Sequence, residues 1–275
     1  MRPLLSCLAV ALLIVAARPA AAAAVDLELV LAVDVSGSID DDEAKLQRAG
    51  FVAAFRNEAV IRAITGGEHG RIAVLYMEWA GVGYEWRRID WRVIDGKAAA
   101  LTFAEDLAIL AYNTGMWTSI SNAIDVAMNE FRRSPHKGKR RVIDVSGDGA
   151  NNQGERVTLA RDRAVAAGVT INGLPIVNGK SSPYGMPQIP NLDWYFEDCV
   201  IGGPNAFIVV ANGFEDFGRA IKRKLIREIA DLGGAPVDPW LARAGRLRHD
   251  AAARAARRPP CDAGEKRLWD QIDDT

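Results

Sequence analysis

The sequence has few of the side chains that build zinc sites, with three Cys and three His among its 275 residues. So small a set excludes a framework of Cys and His ligands. An excess of one charge is also lacking, because 34 basic and 35 acidic residues give a formal net charge of −1. Dedicated nucleic-acid-binding domains carry a basic excess, so we expect no nucleic-acid partner.

Common catalytic and nucleotide-binding signatures are absent as well. The sequence contains no G-x-S-x-G elbow, no Walker A loop and no G-x-G-x-x-G turn, the motifs that position a nucleophile or cradle phosphates. This absence predicts that the protein is not an enzyme. A metal-dependent hydrolase that activates water stays open as an alternative.

Long apolar runs are confined to the N-terminus. Arg2 precedes an apolar run from Leu4 to Ala17, and small residues continue to Ala24. The run falls short of the roughly 20 apolar residues that a membrane-spanning helix needs, and the whole pattern is typical of a secretory signal peptide. We therefore predict a leader over residues 1–24, no stable membrane span after its removal, and a secreted protein that is periplasmic or extracellular.

The region after the leader divides into a domain and an extension. Residues 25–232 have ordinary globular composition, whereas residues 233–275 are rich in Pro, Ala and Arg and are predicted to form a separate C-terminal extension. Two cysteines remain after leader removal, Cys199 in the domain and Cys261 in the extension. They either form a disulfide in an oxidising compartment or stay apart, with Cys199 buried and Cys261 free.

Apolar strand patterns alternate with helical patterns through the domain. Strands are predicted at residues 27–35, 71–80, 141–146, 169–177 and 206–210, with an edge hairpin strand at 84–94. Helical patterns occupy the intervals, including one from 38 to Gly66 and a last one at 214–230. Such alternation predicts an α/β fold, a doubly wound, mostly parallel sheet with one antiparallel edge strand and helices on both faces.

Three loops after predicted strands hold clustered oxygen ligands. In such sheets, ligands bind beyond the carboxyl ends of the strands. Two carboxylates and three hydroxyls form an oxygen-only set that suits Mg²⁺ best, with Ca²⁺ and Mn²⁺ as alternatives. We name this set the candidate metal cluster: Asp34, Ser36, Ser38, Thr118 and Asp148.

These three pieces resemble the metal-ion-dependent adhesion site of von Willebrand factor A domains. The first piece is the D-x-S-x-S sequence that starts at Asp34, the second is Thr118 in a mid-chain loop, and the third is Asp148-Gly149 after a later strand. The resemblance covers about residues 25–231, and more narrowly the sequence is similar to a bacterial group of secreted A-like proteins of unknown function. Many A domains carry Thr before the third-loop Asp, whereas this chain has Gly147.

The resemblance implies roles for the cluster and a function. Its hydroxyls would bind the ion directly or nearly so, and its carboxylates would often act through water. The family joins protein partners by letting the ion accept a partner's carboxylate. This implies a secreted, metal-dependent adhesion or scaffold module that binds an unidentified protein through an acidic residue. A structural envelope protein with an unoccupied site is the alternative.

Two further residues are assigned provisional roles. Asp144 shares a strand face with Ser146 and Asp148, so it is a candidate buried carboxylate that supports the ligands, or a capping residue. Trp117 adjoins Thr118 and is a candidate partner-binding residue, or a side chain packed under the loop. No His or Glu adjoins the three loops in sequence, which leaves the hydrolase alternative without an evident general base.

Overall fold

Strands and helices alternate along the part of the chain that the computed structural model describes, residues 23–181, 187–230 and 258–267. The strands are β1 (Ala24–Asp34), β2 (Ile72–Trp79), β3 (Glu85–Ile94), β4 (Lys137–Gly147) and β5 (Thr170–Pro175). The α-helices are α1 (Asp41–Phe55), α2 (Glu58–Thr65), α3 (Lys97–Ala108), α4 (Ile120–Arg133), α5 (Val157–Ala166), α6 (Leu192–Tyr195) and α7 (Phe217–Ala230). A π-helical turn, Phe196–Val200, follows α6, and a 3-10 turn, Phe214–Asp216, precedes α7.

The five strands form one sheet in the order β3-β2-β1-β4-β5. β1 pairs in parallel with β2 and with β4, β4 pairs in parallel with β5, and β3 pairs antiparallel with β2 at the edge. The predicted fold class, a mostly parallel sheet with one antiparallel edge strand, is confirmed.

Helices cover both faces of the sheet because its central strand is apolar on both faces. In β1, Leu29 and Leu31 belong to a core with α1, α2, α3 and α7, whereas Val30 and Ala32 belong to a core with α4, α5 and α6. Side chains of a strand alternate between faces, so a continuous apolar run serves two cores at once. This burial holds β1 and its neighbours in the middle of the molecule.

The last predicted strand, residues 206–210, is not a strand in the structure. The segment makes only isolated bridges beside β5, joining Gly173 to Ile208 and Ile176 to Ala211. Backbone bonds alternate between the two segments, including Val209 N to Gly173 O at 3.0 Å and Ala211 N to Pro175 O at 3.0 Å. Pro175 has no N–H to donate, so the ladder lacks a rung and does not become a continuous strand.

The long helical pattern after the first strand is divided in two. α1 ends at Phe55, and Asn57 caps the N-terminus of α2 by accepting a hydrogen bond from Ala59 N at 3.0 Å. Asn is a strong N-cap residue, so this interruption is a local effect of sequence that the apolar periodicity concealed.

The predicted leader lies outside the described residues except for its last two positions, and so does most of the predicted extension. Within the part of the chain that the structure describes, none of the helices has the length and apolar character to cross a membrane. The described part of the extension, residues 258–267, lies against the domain. Its Cys261 forms a disulfide with Cys199, which decides between the two alternatives left open by the sequence.

The disulfide and several polar contacts together attach residues 258–267 to the domain. Arg258 pairs with Asp198 and Glu197 beside the π-helical turn, and Asn151 Nδ2 donates to Glu265 Oε1 at 2.8 Å. Residues 258–267 are thus tied both to the turn that carries Cys199 and to the loop after β4.

We expect the disulfide to stabilise the domain substantially. It closes a loop with a sequence separation of 62 residues, for which the chain-entropy model gives about 4 kcal/mol. Replacing both Cys199 and Cys261 with Ser should therefore lower the Tm in differential scanning calorimetry. A reductant should lower the Tm of the unchanged protein and leave the double variant unaffected. Equal Tm values with and without reductant in the unchanged protein would contradict this assignment.

Candidate metal centre

The carboxyl ends of β1 and β4 meet at one edge of the sheet because the two strands are parallel neighbours. β1 ends at Asp34 and β4 ends at Gly147, and Val33 is in register with Ser146. The loop that carries Ser36 and Ser38 and the loop that carries Asp148 therefore start side by side.

A chain of hydrogen bonds joins the first loop to the third. Ser36 N donates to Asp34 Oδ1 at 2.7 Å, the hydroxyls of Ser36 and Ser38 lie 3.0 Å apart, and Ser38 Oγ donates to Asp148 Oδ1 at 2.6 Å. Asp34, Ser36 and Asp148 are buried, and Ser38 is partly exposed. Four members of the candidate metal cluster thus share one small region that solvent reaches at Ser38.

Thr118 reaches the same region through backbone pairing with the third loop. Thr118 N donates to Asn152 Oδ1 at 2.8 Å, and Asn152 N donates to Thr118 O at 2.8 Å. A Cβ on Gly149 would lie 3.5 Å from Thr118 Oγ1, so the Thr118 hydroxyl faces the residue next to Asp148. The structure therefore brings together all five side chains of the cluster.

The two carboxylates of the cluster are destabilised as anions. Burial, followed by the negative charge of Asp148, raises the pKa of Asp34 to about 8. Burial also raises the pKa of Asp148 to about 6, and the charge of Glu43 adds to the rise while the hydrogen bond from Ser38 opposes it. The charged neighbours that act on this pair are themselves negative, so the pair lacks a compensating positive charge.

One oxygen of the pair has no hydrogen-bond partner at all. Asp34 Oδ2 is buried and receives no hydrogen bond, which costs free energy unless another group satisfies it. A hard divalent cation bound by oxygen ligands would satisfy this atom and offset both negative charges. Within the described residues, no three His, Cys, Asp or Glu side chains group closely enough to bind a metal, so the hydroxyls complete the set.

Gly147 is explained by the position of Asp34. A Cβ at Gly147 would lie 2.7 Å from Asp34 Oδ2, closer than real Cβ contacts allow. The departure from the Thr that many A domains carry at this position therefore leaves room for the Asp34 carboxylate.

Asp144 lies apart from the cluster. Its side chain is buried against α7, where Asp144 Oδ1 lies 2.6 Å from Lys224 Nζ, and the charges acting on it are those of Lys224 and Glu228. None of its described contacts is with the cluster. The periodicity placed Asp144 on the correct buried face, but it gave no sign of the helix that covers that face.

Trp117 is held in an uncommon backbone conformation next to the cluster. Its φ is 67°, in the left-handed region that a bulky residue rarely adopts, and 39% of its surface is exposed. Backbone bonds on both sides hold it there, from Gly81 N to Met116 O at 2.9 Å and from Thr118 N to Asn152. The side chain is therefore partly exposed, next to Thr118 along the chain.

Sequence reasoning missed three residues that border the cluster. Glu43 is buried in the first turn of α1, pairs with Lys180 at 3.0 Å and acts electrostatically on Asp148. Gln188 Nε2 donates to Asp148 O at 2.8 Å, and Asn152 supports Thr118. The loop sequence GANN after Asp148 was a signal for Asn152, whereas Glu43 and Gln188 come near only through tertiary packing.

Glu43 also changes the argument about a general base. No Glu adjoins the loops along the chain, but this one lies close in space. Its oxygens are engaged by Lys180 and by Asp40 N, which donates to Glu43 Oε2 at 3.2 Å in the capping box of α1. These bonds hold the Glu43 carboxylate at the start of α1, so both of its oxygens are already engaged.

Solved structures with the same fold include a matrix protein and a pilus adhesin. Proximal thread matrix protein 1 from the mussel byssus is 16% identical with a TM-score of 0.53, over 77% of this chain and 49% of that chain. A second structure of that protein, described with a zinc-occupied metal-ion-dependent adhesion site, is 13% identical with a TM-score of 0.50, over 77% of this chain and 48% of that chain. The pilus adhesin SpaC from Lactobacillus rhamnosus GG is 12% identical with a TM-score of 0.53, over 75% of this chain and 31% of that chain.

These identities show the fold alone, and this chain spans about half or less of the matched proteins. A search of curated proteins finds no match to the sequence. Residues 24–233 match the family described as Protein of unknown function (DUF1194). The chain belongs to that family, and its described domain has the fold of a von Willebrand factor A domain.

Proposed function

We propose that this protein is an exported protein-binding module whose binding depends on a divalent cation held by Asp34, Ser36, Ser38, Thr118 and Asp148. The observation that carries the proposal is the buried Asp34 carboxylate. One of its oxygens has no hydrogen-bond partner, and its charged neighbour is the equally buried Asp148. A protein that maintains two such carboxylates together loses stability unless a cation joins them.

The chemistry of the ligands favours a particular ion and suggests how that ion binds a partner. Carboxylate and hydroxyl oxygens favour Mg²⁺, with Ca²⁺ and Mn²⁺ as alternatives. Because three of the five donors are neutral hydroxyls, a bound ion would supply a centre that still attracts an oxygen of a partner's Asp or Glu. Ser38 is partly exposed, which gives such a partner access to the cluster. No described side chain is assigned a catalytic role.

Two findings support export. The leader pattern over residues 1–24 is typical of secretion, and the bond between Cys199 and Cys261 is of the kind that persists in oxidising compartments. The solved relatives, a byssus matrix protein and a pilus adhesin, support an adhesive or scaffolding role in that setting.

We expect Asp34→Asn to separate metal binding from stability. In EDTA the variant should have a higher Tm than the unchanged protein, because the cost of burying the Asp34 carboxylate and its repulsion by Asp148 are both removed. With Mg²⁺ at 100 times its Kd, the unchanged protein should gain about 2.7 kcal/mol, whereas the variant should gain little. Isothermal titration calorimetry should show the matching loss of Mg²⁺ affinity.

Matched controls distinguish the cluster from general effects of substitution. Asp90→Asn alters an exposed carboxylate on β3 and should keep the full Mg²⁺ response. Thr118→Val should weaken binding, whereas Thr102→Val on the surface of α3 should not. Absence of Mg²⁺, Mn²⁺ and Ca²⁺ binding by the unchanged protein would overturn the proposal in favour of a structural role.

Gly147→Ala tests whether the position of Asp34 sets the affinity. The added methyl group would meet Asp34 Oδ2 at 2.7 Å, so the carboxylate must move away. We expect the loss of Mg²⁺ affinity, measured by calorimetry, to be at least as large as the loss caused by Thr118→Val. Gly96→Ala is a control at a position where the backbone is extended and a Cβ would have nothing within 4 Å, and its Mg²⁺ affinity should equal that of the unchanged protein.

Trp117→Ala should weaken partner binding and leave metal affinity nearly unchanged, because the side chain is partly exposed next to Thr118 and offers no oxygen ligand. Residues 25–232 carry 24 basic and 28 acidic side chains, so the overall field repels an acidic partner and attraction must be local. The measurement is a pull-down of partners from the source cell envelope with this protein as bait, done once in Mg²⁺ and once in EDTA. Leu159→Ala, which changes an exposed apolar residue, is the control. Partner binding that persists both in EDTA and in the Thr118→Ala variant would place the binding surface elsewhere.

A further inference from the structure

A lysine is completely enclosed between the sheet and the last helix. Lys224 on α7 has no exposed surface, and two acids equally removed from solvent, Asp144 on β4 and Glu228 one turn further along α7, contact its amine. A lysine is almost never fully buried unless it is paired. This group, which we call the buried triad, serves no part of the metal site.

The amine and the Asp144 carboxyl touch without the geometry of a hydrogen bond. Lys224 Nζ lies 2.6 Å from Asp144 Oδ1, yet neither oxygen of Asp144 receives an aligned hydrogen bond. Glu228 does accept a hydrogen bond from Lys224 Nζ. Because Oδ1 is bonded to the carboxyl carbon of Asp144, that carbon also lies close to the Lys224 amine.

Neighbouring residues hold the Glu228 side chain and enclose the Lys224 amine. Asn172 is the register partner of Asp144 on β5, and its Nδ2 donates to Glu228 Oε1 at 3.0 Å. Asn172 Oδ1 accepts from Phe207 N at 3.0 Å, and the Phe207 ring centroid lies 5.7 Å from Lys224 Nζ. The aromatic ring and the surrounding apolar core keep water from the amine.

The charges of the triad do not balance in its ionised form. Two carboxylates and one ammonium leave one net negative charge in a site without solvent, and burial together with the charge of Glu228 raises the pKa of Asp144 to about 8. The unfavourable charge is relieved when a proton stays on one of the acids, which makes the Asp144 carboxyl a neutral electrophile.

We propose that Lys224 and Asp144 join in an intramolecular isopeptide bond, with Glu228 carrying the proton. The Lys224 ammonium gives a proton to Glu228, and the free amine attacks the carboxyl carbon of the protonated Asp144. Glu228 gives that proton to the departing hydroxyl, which leaves as water, and then takes the second proton that the nitrogen loses as the amide forms, so Glu228 ends protonated. A C–N bond forms, a C–O bond breaks and one water leaves. The step needs no oxidant, reductant or cofactor.

The fold supplies what this condensation needs. Groups held in contact react with effective molarities on the order of 10⁵–10⁸ M, and the product replaces a buried ammonium and carboxyl with a neutral amide, which removes most of the desolvation cost. The released water leaves the apolar site, so hydrolysis is disfavoured. The bond would attach α7 covalently to β4 in the middle of the sheet.

Peptide mass spectrometry tests the bond directly. Full-length protein is purified after export, reduced, denatured and digested with trypsin. We expect a branched species that joins residues 142–156 to residues 224–227, lighter than the sum of the two peptides by the mass of one water, with no cleavage after Lys224. Recovery of residues 142–156 only in unlinked form, together with cleavage after Lys224, from protein shown to be folded beforehand, would overturn the proposal.

Variants then assign the roles within the triad. Lys224→Met and Asp144→Ala should lose the branched species. Glu228→Gln keeps size and hydrogen bonding but does not carry the proton, so it should fold, by circular dichroism, and lose or greatly delay the linkage. Lys222→Met and Glu215→Gln change residues of the same region outside the triad and should stay linked. A folded Glu228→Gln variant that links as fast as the unchanged protein would contradict the proton-carrier role.

Discussion

The parallel pairing of β1 with β4 is the constraint on which the rest of the structure depends. β1 is buried on two faces along nearly its whole length, and β4 is buried over its C-terminal half. The polar groups that follow the two strands must therefore leave the sheet at the same edge. Asp34 and Asp148 are therefore brought together by backbone register, before any side-chain attraction is considered. Their mutual repulsion is a consequence of the fold, and it is sustained by the apolar burial of the strands.

The sequence was sufficient to predict the mostly parallel sheet and to predict that the five residues of the candidate metal cluster lie near one another, because both follow from local patterns. A continuous apolar run indicates a buried strand, and clustered Ser, Thr and Asp at strand ends indicate a loop with oxygen ligands. These signals are read from neighbouring residues. The same reading failed at 206–210, where Pro175 on a different segment removes the rung that would have completed the strand.

Long-range packing set the limits of prediction. The periodicity placed Asp144 on a buried face with Ser146, yet only the docking of α7 shows that this face meets Lys224 and Glu228. Glu43 likewise reaches Asp148 from the first turn of α1, and Gln188 from a segment beyond β5. Each of these contacts joins parts of the chain whose relative placement no local pattern encodes.

β4 is the element where the two unusual features of the molecule meet. Asp144 and Ser146 lie on one face of this strand, and Asp148 follows them in the next loop. One acidic group therefore lies inside the sheet and another lies at its edge. At the solvent edge the Asp34–Asp148 pair lies where a cation from outside can reach it. In the interior the chain provides the partner of the carboxyl itself, as Lys224. Access to solvent thus separates the two cases: under our proposal a bound ion compensates the carboxylates at the edge, whereas a side chain of the protein compensates the carboxylate in the core.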